Sequence, residues 1–116
     1  MQMKLKSEKK IHNLPALLLQ VEKWKNDKDK IVFTNGCFDI LHLGHVDYLE
    51  KASEKGDKLI IGVNTDASVS QIKGTTRPIT NEKSRTRILA ALAFVDAVVL
   101  FDEDTPLTLI NSIIPD

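Results

Sequence analysis

The sequence predicts an α/β domain: a parallel sheet with helices packed on both faces. Three observations carry that expectation. Short apolar runs rich in β-branched residues, at 31–34, 59–63 and 97–101, read as strands buried on both faces. Stretches with apolar residues at helical spacing alternate with those runs, which is the pattern of βαβ units. The length, 116 residues, supports one domain.

The elements follow in order. Residues 1–12 are polar and Lys-rich without a usable period, and are expected to form a loose leader ahead of a domain spanning 13–116. From Leu14, the residues Leu17, Leu18, Val21 and Trp24 repeat at helical spacing, and Pro15 suits a first turn. Ile31-Val32-Phe33-Thr34 is the first strand, broken by Asn35-Gly36. Gly44 opens a second helix with Val46, Leu49 and Ala52 on its inner face, ending near Lys55-Gly56. Leu59-Ile60-Ile61-Gly62-Val63 is the second strand. A polar stretch then holds a short helix ending near Lys73-Gly74, and Thr75-Thr76-Arg77-Pro78 is loop. A helix from Asn81 is expected to present Ile88, Leu89, Leu92 and Val95 on one face. Ala97-Val98-Val99-Leu100-Phe101 is the third strand. Asp104-Thr105-Pro106 starts a last helix whose core face is Leu107, Ile110, Ile113 and Ile114. The architecture is Rossmann-like in the broad sense, three layers with the sheet in the middle.

Composition narrows the function classes. Sixteen Lys and Arg balance sixteen Asp and Glu, so net charge provides no argument for a nucleic-acid partner. Any phosphate site must come from local arrangement. A single cysteine, Cys37, excludes an internal disulfide framework and fits a reducing, cytoplasmic setting. No apolar run approaches the roughly 18 residues of a membrane span, and the basic start lacks an apolar stretch behind it, so neither a membrane anchor nor a signal peptide is expected. No Gly-x-Gly-x-x-Gly follows the first strand and there is no Walker loop.

One segment concentrates the chemistry: Thr34-Asn35-Gly36-Cys37-Phe38-Asp39-Ile40-Leu41-His42-Leu43-Gly44-His45. It lies where the first strand ends and a helix begins, the place where open α/β sheets bind ligands. Free amides and the helix dipole favour anions there. Gly36 would let a nucleotide approach the backbone, and Gly44 would let the helix start pack tightly. His42 and His45, three apart, would point the same way on a helical first turn. Such a site suits nucleotidyl transfer, in which a phosphate oxygen of an acceptor attacks the α-phosphorus of a nucleoside triphosphate and pyrophosphate departs. The acceptor is already ionised, so the site needs positioning and charge stabilisation more than a base.

Thr-Asn-Gly-Cys-Phe-Asp followed by His-x-Gly-His resembles the signature of the cytidylyltransferase-like nucleotidyltransferases. Three further strings, Gly56-Asp57-Lys58-Leu59-Ile60-Ile61-Gly62-Val63-Asn64-Thr65-Asp66, Lys73-Gly74-(x)2-Arg77-Pro78 and Phe101-(x)2-Asp104-Thr105-Pro106, resemble one subgroup, over about residues 25–116. That subgroup is the adenylyltransferase domain of ADP-heptose synthases, which acts on ATP and D-glycero-β-D-manno-heptose 1-phosphate in lipopolysaccharide inner core synthesis. The resemblance implies a sheet order of 3-2-1-4-5. It implies catalytic roles for His42, His45 and Lys73, and nucleotide binding by Gly36, Cys37, Phe38, His42, Gly44, His45 and Arg85. Asp39 and Asp66 are implied near the acceptor. Mg²⁺ is expected with ATP, with no metal held by protein ligands alone. A homodimer, and a sugar kinase as a fused or separate domain, are the implied partners. Family members continue with a further strand, a Gly-Gly-Asp segment and a Ser/Thr-rich motif. This sequence stops at Pro115-Asp116, so the last strands are expected to be missing, the 31–34 strand to be an exposed edge, and the fragment to be weakly active or inactive.

Plainer readings stand beside these. The two histidines could be structural or, with Asp39, a zinc site lacking a third clear ligand. Cys37 reads as a small buried apolar residue rather than a nucleophile. Lys73, Arg77 and Arg85 could form a solvated face, and His12 a solvated part of the leader. Trp24 and the leucines around it read as packing. A cytidylyltransferase for glycerol 3-phosphate or a similar alcohol phosphate, and a non-catalytic nucleotide-binding module, are the competing functions.

Overall fold

A computed structural model of the chain describes residues 5–103 and 105–116. The first four residues of the expected leader, and Asp104, the expected cap of the last helix, lie outside the described residues. The elements are β1 (Ile11–His12), α1 (Leu14–Asn26), β2 (Ile31–Gly36), α2 (Leu43–Ser53), β3 (Lys58–Asn64), α3 (Asp66–Lys73), α4 (Glu82–Ala90), β4 (Ala97–Phe101) and α5 (Leu107–Ile113), with a 3-10 turn at Ser7–Lys10.

The sheet is parallel throughout, in the order β1-β4-β3-β2. Its β4-β3-β2 portion reproduces the 3-2-1 part of the expected order. Both faces are covered, as the continuous apolar runs required. Ile60 and Val99 face a cluster with Leu17, Val21 and Trp24 of α1 and Leu109 and Ile113 of α5. Leu59, Ile61, Val63 and Val98 face the other way, onto Leu49 of α2 and Leu89 and Ala90 of α4. Successive strand residues point to opposite faces, so β3 contributes to both cores.

Helix starts follow local chemistry. The side chains of Asn13, Thr65 and Asn81 cap α1, α3 and α4 by accepting from Ala16, Ser68 and Ser84 amides. β2 is the terminal strand of the sheet. At its first residue Asp116 lies alongside: its amide donates to the Ile31 carbonyl and its carboxylate accepts from the Ile31 amide.

Three sequence expectations need correction. Residues 7–12 are not a loose leader. Ile11 and His12 pair with Val98 and Val99 on the outer side of β4, Ile11 packs on the α2–α4 core, and Arg87 holds Ser7 and Glu8. A two-residue strand is too short to show a period, and it forms because β4 offers it unpaired backbone. The α4 helix ends at Ala90, so Leu92 and Val95 reach the core from the turn beyond it. Its buried face is Arg85, Thr86, Leu89 and Ala90, while Ile88 is exposed. In α5, Leu109 and Ile113 are buried and Leu107 and Ile114 are exposed, because the helix begins at Leu107.

Candidate functional site

The carboxyl end of β2, the start of α2 and the end of α3 meet at a cavity of about 500 Å³. Asn35, Gly36, Cys37, Phe38 and Asp39 line it from the β2 end, His42, His45 and Tyr48 from α2, and Lys73 and Arg77 from the end of α3 and the loop after it. Its size suits a nucleotide-sized ligand.

The histidines are held by each other's backbone. His42 is the N-cap of α2, and its Nδ1 accepts from the Gly44 amide at 3.0 Å. His45, three residues on, returns the contact: its Nδ1 accepts from the His42 amide at 3.2 Å. This is a capping box built from two imidazoles instead of Ser/Thr and Glu. The geometry determines the tautomer. A neutral ring that accepts at Nδ1 carries its proton on Nε2 and offers that N–H as a donor. The two rings lie 4.1 Å apart between centroids, on one cavity wall. Two Nε2–H donors side by side suit adjacent oxygens of an anion such as pyrophosphate.

This arrangement revises the reading of the helix start. The amides of His42 and Gly44 are taken by the imidazoles, and those of His45 and Val46 donate to the His42 carbonyl. With these amides engaged, the ring N–H groups are donors that the first turn can offer. Gly44 also acquires a different reason. A Cβ there would stand 2.8 Å from His42 Cε1 and 3.1 Å from its Nδ1, so the missing side chain is the space into which the capping imidazole folds. Similarly, a Cβ at Gly36 would meet the Phe38 ring at 3.0 Å. Phe38 takes φ 49°, a left-handed conformation that turns the chain off β2. Its ring meets His45 edge-on at 5.6 Å.

His45 has its pKa lowered, first by burial and then by the charges of His42 and Lys73. It is therefore held neutral, in the form that keeps Nδ1 an acceptor. Cys37 sits in the cavity wall with its Sγ directed to Asn64 Oδ1 at 3.7 Å. Lys73, the last residue of α3, is exposed at the rim.

Arg85 lies beneath the cavity. Its side chain has no exposed surface. Nη1 donates to the carbonyls of Cys37 and Asn64, both at 2.7 Å, Nε to the carbonyl of Thr80 at 2.9 Å, and Nη2 to Asp66 Oδ1 at 2.8 Å. The guanidinium thus ties the ends of β2 and β3 to the start of α3 and the loop before α4. It supports the Cys37 backbone from below, and Asp66, implied as acceptor-binding, is its counter-ion. Asp39 reaches the cavity lip, where its carboxylate holds the segment 77–80. Its pKa is lowered by the Thr80 amide and by Arg77 and Ile79, with burial opposing them.

Asn35, Ile40, Tyr48 and Arg77 are the lining residues to which the sequence reading gave no role in the site. Tyr48 lies three residues beyond His45, one helical step along the same face, and its hydroxyl is 3.0 Å from Thr34 Oγ1. Spacing from the histidines was the signal that could have found it.

Among the described residues, no group of three His, Cys, Asp or Glu could hold a metal ion. Asp39 is the one carboxylate among the lining residues, and it already accepts three hydrogen bonds. The described lining residues therefore offer no ligand set for a metal held by protein alone.

An open parallel α/β sheet with a histidine-capped helix at the carboxyl end of its edge strand defines a class, and by the match of residues 33–116 to that family's model the chain belongs to the cytidylyltransferase-like family. More particularly, it is similar to the bifunctional protein HldE of Methylobacillus flagellatus, with 59% identity over 107 residues, 92% of this chain and 22% of that protein. HldE of Campylobacter jejuni strain RM1221 is 59% identical over 109 residues, 94% of this chain and 23% of that protein. The chain thus spans roughly a fifth of the length of these relatives. The crystal structure of the lipopolysaccharide core biosynthesis protein from Thermoplasma volcanium superposes with a TM-score of 0.68 and 35% identity, over 76% of this chain and 70% of that one. No helix among the described residues is long and apolar enough to cross a membrane.

Proposed function

We propose that the chain provides the triphosphate-binding half of an adenylyltransferase that moves AMP from ATP to D-glycero-β-D-manno-heptose 1-phosphate, giving ADP-heptose and pyrophosphate. The paired imidazoles, each locked with its Nε2–H outward from the cap, carry this reading. The similarity to HldE proteins and to a lipopolysaccharide core biosynthesis protein supports an adenylyltransferase-like role.

In this mechanism a phosphate oxygen of the acceptor forms the new bond to the α-phosphorus of ATP. The bond from that phosphorus to the bridging oxygen breaks, and its electrons leave on pyrophosphate. Negative charge grows on the bridging and β-phosphate oxygens, where His42 and His45 donate. Lys73 adds charge from the rim, and the Gly36–Phe38 backbone, supported by Arg85 through Cys37, shapes the floor. A Mg²⁺ bound with the ATP would be held by phosphate oxygens and water and would supply further neutralisation. Protein in the cytoplasm, a homodimer and a sugar kinase working beside this domain belong to the same proposal.

The test is to incubate a full-length form that contains this chain with ATP or CTP and with heptose 1-phosphate or glycerol 3-phosphate, and to measure pyrophosphate release. Release with ATP and the heptose phosphate alone is the expected result. Release with CTP and glycerol 3-phosphate would replace this reading with the cytidylyltransferase one. Nucleotide binding without any release, unchanged when both histidines are alanine, would point to a binding module.

A further inference from the structure

Asp39 stands at the join between the cavity and the loop that follows α3. Its side chain is 8% exposed, and its two oxygens have different partners. Oδ1 accepts from the amides of Ile79 and Thr80, at 2.8 and 2.9 Å. Oδ2 accepts from Arg77 Nη1 at 3.0 Å. These partners lie 38 to 41 residues away in sequence. Between α3 and α4 the chain has no helix or strand of its own, so the segment is placed by these contacts together with the Ser70 hydroxyl donating to the Arg77 carbonyl and Arg85 Nε donating to the Thr80 carbonyl.

Arg77 lines the cavity together with Lys73 and the two imidazoles, and its side chain is 43% exposed. A guanidinium has five N–H donors, and the bond to Asp39 uses one. The group is thus tethered at one nitrogen, oriented, and open to a cavity with three other donors for anions. Planar, forked guanidinium recognition suits phosphate oxygens.

We propose that Asp39 is a positioning residue that fastens the 77–80 segment over the cavity and aims Arg77, and that Arg77 is a ligand for a phosphate group of the substrate. The inference rests on the reading of the cavity as a phosphate site. It replaces the acceptor-binding role expected for Asp39, whose lone pairs already serve the loop.

The divided oxygens make the two tasks separable. In Asp39→Asn the amide oxygen can still accept from Ile79 and Thr80, while the NH₂ in place of Oδ2 meets Arg77 donor to donor. Asp39→Ala removes both anchors. Pyrophosphate binding is measured by calorimetry for the wild type, Asp39→Asn, Arg77→Met, the Asp39→Asn/Arg77→Met double variant and His42→Ala/His45→Ala, and amide exchange at Ile79 and Thr80 is followed without ligand. Arg77→Met and Asp39→Asn are each expected to weaken binding about tenfold, the scale of one charge-assisted hydrogen bond. The double variant should be no weaker than Arg77→Met, since Asp39 acts through Arg77. The Ile79 and Thr80 amides should stay protected in Asp39→Asn and exchange freely in Asp39→Ala. Wild-type affinity in Arg77→Met, or fully additive losses in the double variant, would overturn the proposal. If Asp39→Ala does not fold, the Asn and Met variants still decide it. Binding that needs both imidazoles but ignores Arg77 sinks this inference and leaves the phosphate site standing. Binding that ignores the imidazoles, or no binding at all, sinks both.

Discussion

The cavity has two kinds of wall, and they are built by different means. The histidine wall is local: His42, Gly44 and His45 hold one another through bonds no more than three residues apart, and His42 is exposed. The arginine side is assembled over distance. Arg85 reaches up to 48 residues to Cys37, Asp39 reaches 38 to Arg77, and Arg85 is wholly enclosed. The first wall is a solvent-facing set of donors that costs the fold little to keep. The second is a buried charge whose removal leaves several carbonyls without partners. Losing a histidine should therefore affect chemistry far more than folding, and losing Arg85 should affect folding first.

The largest expected effect tests the second wall. Arg85→Met should destabilise the chain by about 3–5 kcal/mol, the range for removing one partner of a buried charged network, read as a lower urea midpoint with an unchanged slope. Stability equal to the wild type would mean that the guanidinium is not what joins the strand ends. For the first wall, His42→Ala should cut turnover by about 10²–10³-fold, as for loss of one oxyanion-stabilising donor. Its cost in stability should be only about 1 kcal/mol for the lost cap. An unfolded His42→Ala protein would erase the contrast between the walls.

Gly44→Ala sharpens it further. The added Cβ collides with the His42 side chain, not with backbone. It should therefore move the His42 ring and weaken pyrophosphate binding severalfold, by roughly 1 kcal/mol, while melting stays close to wild type. Asp66→Asn should be milder, below about 1 kcal/mol, because Asp66 is 41% exposed and its pairing with Arg85 is screened by water.

The smallest expected effect concerns pH. The lowered pKa of His45 means that the unfolded chain takes up a proton more readily than the folded site. Above the ordinary histidine value both states are neutral and nothing is lost. As pH falls below about 6.5, the unfolded state is favoured, so stability declines until the folded value is reached. His45→Gln keeps an acceptor suited to the third helical position and removes the titration. Urea midpoints at pH 7.5 and 5.5 should fall less for this variant than for the wild type, and an equal fall would remove His45 as the cause.

Much of this protein is legible without coordinates, and the division follows range of interaction. Strands at 31–34, 59–63 and 97–101 were readable because burial on both faces demands continuous apolar runs. The histidine wall was readable because its parts are neighbours in sequence. β1 was not, since a two-residue strand has no period and exists only where β4 offers it an edge. The buried face of α4 was misread because it contains Arg85 and Thr86, which look like solvent-facing residues until their partners are known. Likewise, nothing near Asp39 in the chain signals that its carboxylate holds Arg77, Ile79 and Thr80.

The layered architecture, the strand–helix alternation and the place of the two imidazoles follow from the order of amino acids alone, because periodicity and capping are short-range effects. Which charges are buried, which are tethered and which face the cavity became visible only once the chain was folded. Those outcomes depend on partners brought together by the sheet, and a buried charge is stable only where distant chain supplies its hydrogen bonds.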